Sequence, residues 1–126
     1  PWLHETVLRL VRLDDGRLGV RQRILFTITL VRSIESDRIP VPVVALDPTR
    51  GDVTMVWRHN DKVLDVLVTK PGEWLAGTWS SFSQIKPERV RHNHFDALRM
   101  LIEWTFPQTN RSTREDIERL EGPCRA

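Results

Sequence analysis

The chain has 126 residues, 40% of them hydrophobic and 29% charged, which is the composition of an ordinary globular domain. Its formal net charge of +2 is too small to indicate a nucleic-acid or membrane partner by itself. The single cysteine, Cys124, excludes an internal disulfide framework, and no apolar run approaches the roughly 18 residues of a membrane span. We therefore expect a cytoplasmic protein.

The N-terminal third predicts two helices. Apolar residues recur at helical spacing over residues 3–11, and the turn residues Asp14-Asp15-Gly16 follow them. Residues 20–35 fit two structures, because their apolar residues form both a strand-like alternation and a helical stripe. The pattern spans about four turns, so its length favours a helix.

The middle of the chain predicts a β-hairpin. Pro40 and Pro42 lack amide donors, so the segment around them is an extended lead-in or an edge strand. If Asn60 and Asp61 are the turn residues, the apolar residues of two alternating strands fall on one face. The expected pairs are Trp57 with Leu64, Met55 with Val66, and Val53 with Val68.

The polar run Arg58–Lys62, "RHNDK", is then the tip of this hairpin rather than an active site. As turn residues, His59 and Lys62 should contribute little to stability. A second turn at Pro71-Gly72 would add a third strand and place Leu75, Gly77 and Trp79 on the same apolar face.

The C-terminal part predicts helices again. One helix follows Pro87 and runs to about Trp104, with Asn93 as an alternative cap, and a short capped helix spans Ser112–Glu121. The predicted fold is α+β, with a three-stranded antiparallel meander covered by helices from both ends of the chain. The strands span about 52–58, 62–69 and 74–79; residues 1–107 form a single domain, and residues 108–126 form a helical tail.

The sequence contains no motif that indicates catalysis. It has neither the Gly-x-Ser-x-Gly elbow of a hydrolase nor a glycine-rich phosphate loop. His92 and His94 would point about 200° apart on a helix and could not share an ion. We therefore predict no catalytic, cofactor-binding or metal-binding residues, and no cofactor.

Two kinds of binding surface are consistent with the sequence. Tryptophan is enriched at interface hot spots, and the tail carries two apolar residues that need a surface to pack on. The candidates for partner binding are Trp2, Trp74, Trp104, Ile117 and Leu120, whereas Trp57 and Trp79 belong to the sheet core. A basic face around residues 86–114 is the alternative, with nucleic-acid candidates Lys86, Arg89, Arg91, Arg99, Arg111 and Arg114.

Residues 39–68, "IPVPVVALDPTRGDVTMVWRHNDKVLDVLV", resemble a segment of small uncharacterised bacterial proteins. In those proteins a Pro-spaced lead-in precedes a Gly turn and a strand that ends in Trp, and a second Gly tends to occupy the position of Asp52. The resemblance implies a bacterial α+β domain and no known function. The matching residues are Pro40, Pro42, Pro48, Gly51, Val53, Trp57, Leu64, Asp65 and Val66.

These observations favour a small non-catalytic protein that binds another macromolecule. A protein partner or a second copy is expected, and the chain would be a subunit or regulator of a bacterial protein complex. The alternative is a nucleic-acid-contacting accessory protein that uses the basic face, and the third interpretation is an enzyme with an unrecognised site.

Overall fold

The computed structural model describes residues 1–34, 36, 38–80 and 90–107. In that part of the chain, three helices accompany one antiparallel sheet with the strand order β1-β2-β3-β4-β5. The α+β class is confirmed, but the described sheet has five strands rather than three, because β1 and β5 extend the expected meander on either side. The elements are α1 (Trp2–Val11), α2 (Leu18–Arg32), β1 (Val43–Leu46), β2 (Val53–His59), β3 (Lys62–Lys70), β4 (Glu73–Ser80), β5 (Val90–His92) and α3 (Phe95–Thr105).

Helix α2 settles the ambiguity of residues 20–35 in favour of a helix. Its buried residues recur at helical spacing and pack on the sheet. The chain enters α2 through a polar turn in which Asp14 and Asp15 accept hydrogen bonds from the backbone amides of Gly16 and Arg17. The buried residues of α2 are Val20, Ile24, Thr27, Leu30 and Val31.

The β2–β3 hairpin has the register that the apolar pattern predicts. Asn60 adopts a left-handed conformation with φ 55°, which the tight turn requires and asparagine tolerates. Strands β2 and β3 therefore place their apolar residues on the face that carries the helices, where all six are at most 1% exposed. The observed pairs are Trp57 with Leu64, Met55 with Val66, and Val53 with Val68.

The register predicted for the second turn is wrong by one residue. Lys70 pairs with Glu73, but Val68 pairs with Trp74, so Thr69 is an extra residue that forms a bulge in β3. A Pro-Gly turn matches the strand twist poorly, and the bulge accommodates it. The shift puts Trp74 in the core. We expected Leu75, Gly77 and Trp79 on the core face. They instead pair with residues of β3 whose side chains lie on the opposite face of the sheet.

The predicted start of the third helix just after Pro87 is also wrong, whereas the alternative cap, Asn93, lies one residue before the observed N-cap, His94. Residues 90–92 form β5, which pairs with residues 74–76 of β4, and the chain is still extended at His94. Helix α3 begins only at Phe95. The pairing with β4 is a contact between distant parts of the chain, which overrides the helical spacing of the local sequence. Pro87 and the predicted tail, residues 108–126, lie outside the described residues.

One core joins the sheet to the helices. Helices α2 and α3 pack on β2 and β3, and α1 packs beside α2 over β1. Gly51 lies where α2 approaches the sheet, since a Cβ atom there would come within 2.8 Å of Arg23 Nη1. Among the described helices, none is long and apolar enough to cross a membrane.

Replacement of Trp57 by alanine should lower the free energy of unfolding by about 3–5 kcal/mol, because it opens a cavity in this core. Trp57 is 1% exposed, and its Nε1 donates a hydrogen bond to the Pro40 carbonyl at 3.1 Å. Urea unfolding measures the loss. Leu18→Ala, at a residue that is 68% exposed, is the control and should change stability by less than about 0.5 kcal/mol. If the two variants lose the same free energy of unfolding, Trp57 and its hairpin are not at the centre of the core.

Candidate interaction surface

The polar hairpin tip is held against the end of α3. Lys62 Nζ donates a hydrogen bond to the Trp104 carbonyl at 2.8 Å and lies 4.9 Å from the centre of the Trp104 ring. The His59 ring is 5.0 Å from that of Phe106, and Asp61 accepts a hydrogen bond from Ser80 Oγ at 2.9 Å. The tip therefore caps α3. The small contribution to stability that we expect of His59 and Lys62 stays a prediction.

The three tryptophans predicted to bind a partner occupy different environments. Trp2 is buried, and its Nε1 donates to the Ser36 carbonyl at 2.6 Å; Trp74 is 0% exposed in the core. Neither is exposed as a partner-binding residue needs to be, so both predictions are wrong; each side chain fills space between the helices and the sheet. Trp104 is 42% exposed on α3 and remains a candidate. Ile117 and Leu120 lie outside the described residues.

Two of the six predicted basic residues are described, and both form ion pairs. Arg91 Nε is 2.6 Å from Glu73, which also pairs with Lys70 at 2.8 Å, and Arg99 is 2.7 Å from Asp96. The hydrogen bond from Lys70 and the charge of Arg91 lower the pKa of Glu73, so this carboxylate stays ionised. The positive charge of the described part of the face is thus largely compensated. Lys86, Arg89, Arg111 and Arg114 lie outside the described residues.

His92 and His94 do not lie on a helix, so the argument that helical geometry separates them is wrong. His92 ends β5, and its ring stacks on Trp74 with the ring centres 4.6 Å apart. This burial lowers the pKa of His92. His94 is exposed and precedes α3. Within the described residues, no group of three or more His, Cys, Asp or Glu side chains is arranged to hold a metal ion.

A shallow groove between α2 and the turn that joins β3 to β4 is the feature that the sequence did not predict. It has a volume of about 530 Å³ and is lined by Gln22, Leu25, Phe26, Thr29 and Pro71, none of which is charged. We call it the α2 groove. Leu25 is 58% exposed. Phe26 is partly buried, and packs against the core.

Helix α3 continues the apolar surface beyond the groove. The Phe95 ring lies 5.9 Å from that of Phe26, and Phe95 is itself 40% exposed. Met100 and Trp104 of α3 are also exposed, by 70% and 42%, but at about 100° per residue they lie about 140° and 180° around the helix from Phe95, on a different face. Exposed aromatic and methionine side chains are characteristic of protein interfaces. The helical layer thus presents apolar side chains from both α2 and α3.

No family model matches the chain. Neither the curated proteins nor the solved structures include one that is significantly similar to it.

Replacement of Lys62 by methionine should destabilise the domain by about 0.5–1 kcal/mol, because it removes a cation from the C-terminal end of α3 and from the Trp104 ring. Urea unfolding at low salt measures the effect, which should shrink as salt is added. Arg58→Met, at the exposed end of β2, is the matched control and should be nearly neutral. The same cost in both variants would show that the contact with α3 is not specific.

Acidification from pH 7.5 to 5.5 should destabilise the protein through His92. The folded-state pKa of His92 is lowered, so the unfolded chain takes up a proton near pH 6.5 before the folded chain does. The stability contributed by neutral His92 is therefore full above that pH and is lost as the pH falls. Urea midpoints should depend less on pH in His92→Phe, whereas His94→Gln should behave like the wild type. If His92→Phe keeps the wild-type pH dependence of stability, the loss of stability on acidification does not come from His92.

Proposed function

We propose that this chain is a protein-binding module and that its docking surface is the α2 groove with the adjoining face of α3. The observation that carries the proposal is an uncharged groove with an exposed Leu25, continuous through Phe26 with the exposed Phe95. Contiguous exposed apolar surface of this kind marks a site of interaction. The partner that fits is a protein segment with an apolar side chain to bury there.

The surface is preorganised, which favours binding. Ile24 and Leu30 of α2, and Leu98 and Ile102 of α3, are fixed in the core. The groove therefore does not need to form when the partner arrives, and little conformational entropy is lost from this side. Gln22 and Thr29 offer hydrogen-bonding groups beside Leu25, which is the arrangement of an apolar centre with a polar rim.

The nucleic-acid alternative is less well supported by the described residues. A phosphate-binding face needs cations that can neutralise phosphates, but Arg91 and Arg99 already face carboxylates. We further propose that the module acts in the bacterial cytoplasm, as a subunit or regulator of a larger complex. Retention on a polyanion column that depends strongly on salt would favour the nucleic-acid alternative over the groove.

Leu25→Lys should abolish binding of the native partner, because it places a charge in the groove that the partner must desolvate. The tagged protein is expressed in its source cell, and the proteins that co-purify are quantified by mass spectrometry. A partner that is recovered with the wild type should be lost from Leu25→Lys and equally from Phe95→Lys.

Val11→Lys is the matched control. Val11 is 52% exposed, against 58% for Leu25, but it lies on α1 and does not line the groove. This variant should retain the partner, and all three variants should melt near the wild-type temperature. A partner that stays bound to Leu25→Lys, or is lost equally from Val11→Lys, would rule out the groove as the docking surface.

A further inference from the structure

Strand β1 lies at one edge of the sheet and has a free side in the described part of the chain. It pairs with β2 on one side, and no other described strand pairs with it. Val43 is 64% exposed and Ala45 is also exposed. An edge strand presents unpaired backbone donors and acceptors, which are a template for pairing with another extended chain.

The hydrogen-bond pattern identifies which backbone groups point outwards. The Asp47 amide donates to the Asp52 carbonyl at 2.9 Å, so this is a hydrogen-bonded pair of the antiparallel ladder. Along an antiparallel ladder, hydrogen-bonded pairs alternate with non-hydrogen-bonded pairs. The same register continues from the pair Leu46–Val53 to the pair Val43–Val56. Ala45 and Val43 therefore also bond to β2. The amides and carbonyls of Val44 and Leu46 point away from it.

The sequence limits this edge to those two residues. Pro42, two residues before Val44, is the next residue whose backbone would face outwards, and it has no amide hydrogen to donate. Residues 39–46 carry no charged side chain, although charges are the usual protection of an exposed edge. The outer edge of β1 is thus a short uncharged segment with two donors spaced two residues apart.

We propose that β1 pairs antiparallel with β1 of a second copy of this chain and joins the two sheets into one. Within the bounds of β1, Val43–Leu46, only one register pairs both outward amides of both copies with carbonyls of the strand itself. Val44 then pairs with Leu46 of the other copy, each pair exchanging two hydrogen bonds, and Ala45 lies opposite its own equivalent on the two-fold axis. This inference is independent of the α2 groove.

The edge favours a second copy over a foreign peptide because it is complementary to itself. A two-fold axis through Ala45 exchanges the Val44 and Leu46 positions, so each copy supplies the donors that the other accepts. Ala45 is small enough for the close approach of a non-hydrogen-bonded pair, about 4.5 Å between Cα atoms. Without a charge between residues 39 and 46, the edge has no electrostatic means of selecting a different partner.

Cross-linking tests this register. Ala45→Cys, made in the full chain with Cys124→Ser, should form a disulfide-linked dimer under mild oxidation, since about 4.5 Å between Cα atoms suits a disulfide. Val43→Cys in the same background is the control. Its two copies would be about 13 Å apart, so it should stay uncross-linked. Cross-linking of neither variant, of both equally, or of Val43→Cys alone would overturn the proposal.

Sedimentation measures the association without a cross-link. The wild type should form a dimer that dissociates on dilution. Ala45→Lys should be monomeric, because two like charges would meet on the axis. Val90→Lys is the matched control on β5, the opposite edge strand, where Val90 is 55% exposed, and it should still dimerise. A wild type that is monomeric at every concentration, or a dimer lost only in Val90→Lys, would refute pairing through β1.

Discussion

The two-residue turn at Asn60-Asp61 is the constraint on which the rest of the structure depends. Because Asn60 accepts φ 55°, strands β2 and β3 meet without an insertion, and their side chains alternate in phase. A slip of one residue would turn Trp57 and Leu64 to the opposite face and leave α2 and α3 without a surface to pack on. The same turn carries Lys62 to the end of α3, so it fixes both the sheet and one end of the helical layer.

A second local feature, the bulge at Thr69, makes a polar contact with α2. The Thr69 carbonyl accepts a hydrogen bond from Arg23 Nε at 2.8 Å, and the same arginine passes close to Gly51. The bulge also leads into the turn that brings Pro71 beside Leu25. The turn of this irregular hairpin thus supplies Pro71 to the lining of the α2 groove. A regular turn would have moved Trp74 out of the core.

The sequence predicted the β2–β3 hairpin, which depends on neighbouring residues, but it missed the local bulge at Thr69 and the features that depend on distant residues. The β2–β3 register followed from local alternation and one turn. Strand β5 did not, because only its pairing with residues 74–76 makes it a strand. Trp104 was recognised as a surface residue, but the α2 groove was not. A signal for it was present, since Leu18 and Leu25 lie off the buried stripe of α2 and an amphipathic helix normally carries polar residues there.

The two proposed association surfaces are compatible because they lie over different strands. Helices α2 and α3 pack on β2 and β3, whereas the strand that would join two copies is β1, which lies under α1. Pairing through β1 would therefore leave the α2 groove of each copy open. Each dimer would present two grooves, and a partner with two matching segments would bind more tightly than one with a single segment, without any new contact. Self-association would then strengthen partner binding through geometry alone.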